Sequence, residues 1–140
     1  MKFIEKHLSK NSSDGAMRSR GNLGEDEAVR VLKKLRYKII ERNFYARSGE
    51  IDIIARDGEY ICFVEVRLRK TNSLAAPAET IDFRKRRKII KTAELYAQQK
   101  KLFDEPLRFD AVLVNADEIG GKLVNIKTEV IKNAFEAESF

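Results

Sequence analysis

Three carboxylates on two short apolar runs are the residues of this chain best suited to chemistry: Glu50, Asp52 and Glu65. The runs, 49–55 and 60–67, consist mainly of β-branched and aromatic residues, so the carboxylates are expected to be partly desolvated and to repel one another. A bound cation removes that cost, and a few oxygen ligands on rigid strands suit Mg²⁺. The residue types therefore predict a magnesium site held by Asp52 and Glu65.

A β-hairpin is the element that brings these carboxylates together. Asp57-Gly58 separates the two runs and predicts a two-residue type I′ turn. Counting outward from that turn places Asp52 diagonal to Glu65, roughly 7 Å apart at Cα level. The predicted carboxylate face carries Glu50, Asp52, Ile54, Ile61, Phe63, Glu65 and Arg67, and the predicted core face carries Ile51, Ile53, Ala55, Tyr60, Cys62, Val64, Val66 and Leu68. The alternative is a solvated strand face with its charges splayed apart.

Metal-assisted hydrolysis of phosphodiester bonds is the chemistry that fits such a site. A divalent ion polarises a phosphoryl oxygen and lowers the pKa of a bound water. Arg67 follows Glu65 by two residues on the same predicted face, where it could neutralise charge on the transition state. The alternative for Arg67 is an ion pair with Glu50 or Glu65.

A helix upstream of the hairpin presents a further carboxylate, Glu25. The helix is predicted from apolar residues at steps of three and four, which are Ala28, Val31, Leu32 and Leu35. Glu25 lies three residues before Ala28, near the apolar edge, from where it can reach the hairpin. The alternative is an acidic residue in the first turn of a helix, where the macrodipole favours it.

The positive charge of the chain is clustered. Its 140 residues carry a net charge of +6, which favours a polyanionic partner such as DNA and binding that weakens with salt. A second helix is predicted from Pro77 to about Lys100, with Ile81, Ile89, Ala93, Tyr96 and Ala97 as its apolar stripe. The candidate nucleic-acid-binding residues are Arg69, Lys70, Arg84, Lys88 and Lys91. An ordinary solvated helix face is the alternative for the basic run.

The remaining patterns predict an α/β (α+β) domain with a mixed central β-sheet flanked by helices. Strands are expected at 37–45, 107–115 and 123–127, and Val130, Ile131, Ala134 and Phe135 suggest a terminal amphipathic helix. Helix, three strands, helix and two strands is then the order of elements. Residues 1–20 are predicted to form a flexible tail before a single domain at 21–140.

Several classes of function are disfavoured by the composition. Patterns of a signal peptide or membrane span are not seen, which predicts a cytoplasmic protein with no membrane partner. Walker, zinc-knuckle and dinucleotide-binding glycine patterns are also not seen, so no organic cofactor is expected. The single cysteine, Cys62, falls on the predicted core face and is interpreted as a packed residue rather than a nucleophile.

A set of motifs resembles the bacterial YraN-like (UPF0102) family, which is regarded as a relative of archaeal Holliday junction resolvases. The motifs are Gly21-Asn22-Leu23-Gly24-Glu25, Arg42-Asn43, the runs 49–55 and 63–69, and Arg108-Phe109-Asp110. The resemblance covers approximately residues 21–114. Asp52 followed by Glu65-Val66-Arg67 also resembles the PD-(D/E)xK nuclease signature, with Arg67 where that signature has lysine.

This resemblance implies a restriction-endonuclease-like fold, Mg²⁺ as cofactor with Mn²⁺ as an alternative, and a nucleic-acid substrate. It implies Asp52 and Glu65 as metal ligands, Glu25 as a site residue from the first helix, and Arg67 in the place of the signature lysine. Arginine stays protonated and cannot act as a base, so this substitution bears on catalysis. The resolvase relatives imply branched DNA as a substrate and a homodimer.

These inferences lead to a prediction with two alternatives. The prediction is a magnesium-dependent endonuclease that hydrolyses DNA phosphodiester bonds, with catalytic residues Glu25, Asp52, Glu65 and Arg67. The first alternative is a nucleic-acid-binding module that keeps the fold but cleaves slowly or not at all. The second is a protein-interaction adaptor, which predicts no salt-dependent affinity for DNA.

Overall fold

The computed structural model describes residues 20–71 and 81–137, with side chains from residue 22 onward. Its elements are α1 (Arg20–Lys34), β1 (Lys38–Ala46), β2 (Gly49–Asp57), β3 (Tyr60–Lys70), α2 (Phe83–Gln99), β4 (Leu107–Ile119) and β5 (Lys122–Phe135). This order confirms the predicted succession of one helix, three strands, one helix and two strands. The predicted tail, apart from Arg20, and the predicted helix start at Pro77 lie outside the described residues.

The strands form one mixed sheet in the order β1-β2-β3-β4-β5. Strands β3 and β4 are parallel, and the other neighbouring pairs are antiparallel. A parallel pair needs a long crossover, and the chain segment that contains α2 provides it between β3 and β4. The sheet with its two helices confirms the α+β prediction.

The two helices pack on opposite faces of the sheet and create two apolar cores. The core under α1 includes Ala28, Leu32, Ile53, Cys62, Val64 and Val112. The core under α2 includes Ile54, Phe63, Ile89, Ala93, Tyr96 and Phe109. Both faces of the β2–β3 hairpin are therefore buried, whereas a single core face was predicted. The fully buried Cys62 confirms its interpretation as a packed residue.

The hairpin turn lies one residue later than predicted. Asp57 pairs with Tyr60, and the turn residues are Gly58 and Glu59. Gly58 has φ +61°, while neither neighbour has a positive φ, a pattern typical of a type II′ turn rather than type I′. The shift moves each strand by one position, so the residues that share a face are unchanged within the paired part of the ladder, 53–57 and 60–64. Asp52 and Glu65 lie one position beyond the last pair of the ladder, Ile53 and Val64, and in this register they face each other rather than forming the predicted diagonal pair.

Two residues predicted on the core face of the hairpin lie elsewhere. Ile51 belongs to the core under α2, not to the core that contains Ile53. The β2–β3 ladder has ended at Ile53, and on the β1 side Asn43 has φ +56°, so strict alternation is interrupted here. Tyr60 is exposed, and its ring lies 5.0 Å from the Arg108 guanidinium.

The predicted terminal helix is wrong, because strand β5 continues through it. Val130 pairs with Val112 and contacts the core under α1, while its neighbour Ile131 contacts the core under α2. Successive residues on opposite faces are the mark of a strand. Phe135 stacks on Phe109 with ring centroids 5.1 Å apart, which anchors the end of β5 on the sheet.

The bounds of both helices refine the predictions. Helix α1 begins at Arg20, so Glu25 is not in its first turn and the macrodipole interpretation of Glu25 is wrong. Leu35, predicted on the apolar stripe, follows the helix and is exposed. Helix α2 begins at Phe83, where the Asp82 carboxylate caps it by accepting from the Lys85 amide at 2.8 Å. Within the described residues, neither helix combines the length and apolar character that crossing a membrane requires.

Candidate metal and phosphate site

Three carboxylates from two elements converge at one end of the β2–β3 hairpin. They are Glu25 from α1 and Glu50 and Asp52 from β2, and one oxygen of each lies within 4.8 Å of the others. Helix α1 can approach so closely because Gly24 faces Leu68 on β3, where an added Cβ would lie 3.1 Å from the leucine Cβ. The Gly24-Glu25 dipeptide thus combines close helix packing with a carboxylate directed at the hairpin.

Burial and mutual repulsion disfavour the charged forms of these carboxylates. Burial, followed by the charge of Glu65, raises the pKa of Asp52 well above its ordinary value, although the Val66 amide donates to Asp52 Oδ2 at 2.8 Å. Burial also raises the pKa of Glu25, with Glu50 adding to the effect and Arg42 opposing it. The alternative of a solvated face with splayed charges is wrong, because the carboxylates converge and Ile54, Ile61 and Phe63 of the predicted carboxylate face are buried.

The donor set fits a hard divalent cation. Glu25 is only 7% exposed, and its Oε1 is buried without a hydrogen-bond partner among the described residues. Arg42 Nη2 forms an ion pair with that oxygen at 3.6 Å, a distance too long for a hydrogen bond. An unsatisfied buried oxygen beside two further carboxylates is the kind of ligand set that Mg²⁺ or Mn²⁺ takes.

Glu65 lies beside this group but has cationic partners of its own. It is 5% exposed, and its Oε2 lies 3.2 Å from Lys85 Nζ and 3.8 Å from Arg67 Nη1. The ion pair weighed as an alternative for Arg67 is thus present. Glu65 is not among the three carboxylates within 4.8 Å of one another, although its charge acts on Asp52. Glu50 holds the place in that group that Glu65 was expected to take.

Comparison with known proteins identifies the family. Residues 24–114 match the model of a family described as "Uncharacterised protein family UPF0102". The chain belongs to the UPF0102 family. A UPF0102 protein of Acetivibrio thermocellus is 40% identical over 128 residues, covering 91% of this chain and 98% of its own length. One from Persephonella marina is 42% identical over 119 residues, covering 85% of this chain and 95% of its own length.

The predicted nucleic-acid-binding residues of this UPF0102 protein fall into two groups. Arg84, Lys88 and Lys91 line a cleft of about 570 Å³ along α2, together with Arg87, the carboxylate residue Glu94 and Ser48 from the β1–β2 turn. Ser48 Oγ and Thr92 Oγ1 are 2.7 Å apart, so this turn is fastened to α2 just before Glu50. The cleft is therefore linked through Ser48 to the strand that carries Glu50 and Asp52.

The second group, Arg69 and Lys70, ends β3 and lies apart from that cleft. Lys70 lines a smaller cleft that also includes Asp117 and Glu118. Acidic neighbours make that surface less favourable to a phosphate group. The Nε atom of Arg69 is buried and has no hydrogen-bond partner among the described residues.

Two residues beside the site were not singled out from the sequence. Lys85 stands four residues before the buried Ile89, so helical spacing alone places it on the sheet-facing side of α2. Tyr45 pairs with Glu50 across β1 and β2. Burial, followed by the charge of Glu50, raises the pKa of the Tyr45 phenol to about 12, so its hydroxyl stays protonated near the carboxylates.

Proposed function

We propose that this UPF0102 protein hydrolyses phosphodiester bonds of DNA with a divalent cation, Mg²⁺ or Mn²⁺, held by Glu25, Glu50 and Asp52. The observation that carries this proposal is the convergence of three carboxylates, one of them with a buried oxygen that has no hydrogen-bond partner among the described residues. The predicted ligand Glu65 stays beside Asp52 and faces the two cations Arg67 and Lys85. The resemblance to PD-(D/E)xK nucleases supports the same reaction.

The proposed reaction is a direct hydrolysis. A water oxygen forms a bond to phosphorus, and the bond from phosphorus to one sugar oxygen breaks. The bonding electrons leave with the sugar oxygen, which takes up a proton, while the attacking water loses a proton to solvent. A bound divalent cation supplies Lewis-acid stabilisation of the negative charge on the phosphate. Arg67 donates hydrogen bonds to phosphate oxygens, a geometry that the guanidinium fork favours.

The basic cleft along α2 is proposed to hold the DNA backbone. Arg84, Lys88 and Lys91 lie on one side of a helix whose first turn meets Glu65. Phosphates bound along this side would lead toward the carboxylates. Since each neutralised phosphate releases counterions, affinity is expected to fall as salt rises.

The finer form of the proposal is cleavage of branched DNA by a homodimer, which the resemblance to Holliday junction resolvases supports. The second candidate function is a DNA-binding module without hydrolysis. The pairs of Glu65 with Lys85 and Arg67 favour this second candidate, because they neutralise a buried carboxylate without a metal. The adaptor alternative would require neither DNA nor a cation.

A gel assay separates these functions. Labelled linear, flap and four-way DNA are incubated with the wild-type protein and either Mg²⁺ or Mn²⁺. We expect cleavage by the wild-type protein and a loss of about 100-fold or more in Asp52→Asn. Asp104→Asn, an exposed carboxylate change outside the site, is the matched control and should cleave normally.

The outcomes of this assay point to different functions. Binding without cleavage of any substrate would contradict hydrolysis and favour the non-catalytic DNA-binding module. Neither binding nor cleavage would favour the adaptor. Full activity in Asp52→Asn would show that the reaction does not use this carboxylate cluster.

A further inference from the structure

The closest cation to Glu65 comes from helix α2, not from the strand that carries Glu65. Lys85 Nζ lies 3.2 Å from Glu65 Oε2, whereas Arg67 Nη1 lies 3.8 Å from the same oxygen. The Lys85 side chain is 46% exposed and the Glu65 side chain 5%. Lys85 therefore joins a buried carboxylate of the site to the surface by which a phosphate would arrive.

The position of Lys85 is unfavourable for the helix. It lies in the first turn of α2, where the partial positive charge of the macrodipole repels a cation. The nearly buried Glu65 carboxylate offsets this cost, because removing Lys85 would leave that charge without its nearest cation. A carboxylate whose charge acts on Asp52 thus holds a cation at this end of the helix.

Two contacts fix the position of helix α2 and, with it, the position of Lys85 beside Glu65. The Asp82 carboxylate accepts a hydrogen bond from the Lys85 amide, which sets the first turn. About two turns further on, Thr92 is fully buried, and its hydroxyl meets Ser48 from the turn that leads into Glu50. The helix that carries Lys85 is thus packed against the turn that precedes Glu50.

We propose that Lys85 is a catalytic residue of the site, donating a hydrogen bond from its ammonium group to an oxygen of the scissile phosphate. This inference rests on the proposed hydrolysis. The ammonium has three donors, and one of them faces Glu65. It supplies the compact point charge that the signature lysine would give at position 67, where this chain has a delocalised guanidinium.

The test compares Lys85→Met, Lys85→Gln and Lys85→Arg with Lys34→Met, which removes an exposed lysine from the last turn of α1. Single-turnover cleavage of DNA in Mg²⁺ gives the rate of hydrolysis. Affinity for the same DNA in Ca²⁺ and affinity for Mn²⁺ without DNA are measured separately, and thermal melts show whether each variant is folded.

We expect the Met and Gln variants to lose about 100-fold in single-turnover rate, the scale of a lost transition-state hydrogen bond. Their affinities for DNA and Mn²⁺ should stay within about threefold of wild type, since one phosphate contact in many is removed. Lys85→Arg should recover part of the rate, and Lys34→Met should match wild type.

Two results would overturn the role of Lys85 while leaving the proposed function intact. One is cleavage by Lys85→Met and Lys85→Gln at the wild-type rate. The other is a loss of rate that is fully accounted for by weaker binding of DNA or Mn²⁺. If the wild-type protein cleaves no DNA, the proposed function fails and the role of Lys85 falls with it.

Discussion

Asp110 illustrates at the residue scale how a buried charge is stabilised in this fold. It is fully buried and accepts hydrogen bonds from Tyr37 Oη and Arg108 Nε at 2.8 Å and from the Asn133 amide at 2.9 Å. Arg108 also donates to Asp57 at 2.7 Å. Burial alone would raise the pKa of Asp110, but these hydrogen bonds outweigh it and hold the pKa below its ordinary value. The Arg108-Phe109-Asp110 motif therefore has a structural role.

Replacing Asp110 by Asn should destabilise the protein by about 3 kcal/mol at neutral pH, because it leaves Arg108 without its buried partner. The folded-state pKa of Asp110 is lower than that of the unfolded chain. Its contribution is therefore complete above about pH 4 and is lost as the pH falls through the folded-state value. Urea unfolding of both proteins across this range measures the difference.

The control for Asp110→Asn is Asp104→Asn, which removes an exposed carboxylate. It should change the free energy of unfolding by less than about 0.5 kcal/mol. An Asp110→Asn protein as stable as wild type at neutral pH would contradict the structural role of the network. So would a stability difference that does not narrow in acid.

Asp52 has the opposite electrostatic character, since burial and Glu65 raise its pKa. With the folded-state pKa above that of the unfolded chain, ionisation of Asp52 opposes folding once the pH exceeds about 4. Asp52→Asn should therefore stabilise the metal-free protein at neutral pH, by on the order of 1 kcal/mol. Asparagine keeps an oxygen that can accept from the Val66 amide.

Thermal unfolding in EDTA measures this gain, and it should vanish below about pH 4, where Asp52 is neutral in both folded and unfolded chains. The exposed Asp104→Asn change should leave the melting temperature unaltered. A metal-free Asp52→Asn protein that melts below wild type at neutral pH would show that the carboxylate is not under electrostatic strain.

At the scale of elements, basic residues in the first turn of α2 are expected to lower the stability of the helix and to strengthen the binding of DNA. Basic residues follow one another from Arg84 to Lys88, beginning at the helix end where cations are disfavoured. Arg84→Glu should stabilise the fold by about 0.5 kcal/mol. The same change should weaken binding to DNA and lower the slope of log affinity against log salt by about one, since it removes one phosphate contact.

Lys34→Glu is the matched charge reversal, because Lys34 is exposed in the last turn of α1, where a cation is favoured. It should destabilise the fold slightly and leave the salt dependence of DNA affinity unchanged. Urea unfolding and fluorescence anisotropy with labelled DNA give the two quantities. If Arg84→Glu binds DNA as wild type does, α2 is not the binding surface.

The elements themselves could be predicted where one periodicity dominates. The hairpin was expected because β-branched residues flank Gly58, and its faces survived the shift of the turn because both strands moved by one position. The end of β5 was misassigned because the apolar residues from Val130 to Phe135 fit a helix as well as a strand. Asn133, with φ +55°, breaks the alternation that would have indicated a strand.

At the scale of the whole molecule, the site depends on contacts between elements far apart in sequence. Asp52 could be found from the hairpin pattern, and the reach of Glu25 from its place on the apolar edge of a helix. The contact of Lys85 with Glu65 depends on where the crossover from β3 returns α2 across the sheet, which local periodicity does not determine. The grouping of Glu50, rather than Glu65, with Glu25 and Asp52 was not predicted, because it arises where the β2–β3 ladder has ended at Ile53 and Lys85 contacts Glu65.

Binding of Mn²⁺, followed by electron paramagnetic resonance and by competition with Mg²⁺, tests most directly whether the carboxylates from α1 and β2 form a cation site. We predict that the wild-type protein binds Mn²⁺, that Mg²⁺ displaces it, and that Asp52→Asn weakens binding by about tenfold or more, while Asp104→Asn does not. Equal Mn²⁺ affinity in the wild-type and Asp52→Asn proteins, or no binding by the wild-type protein, would contradict the site.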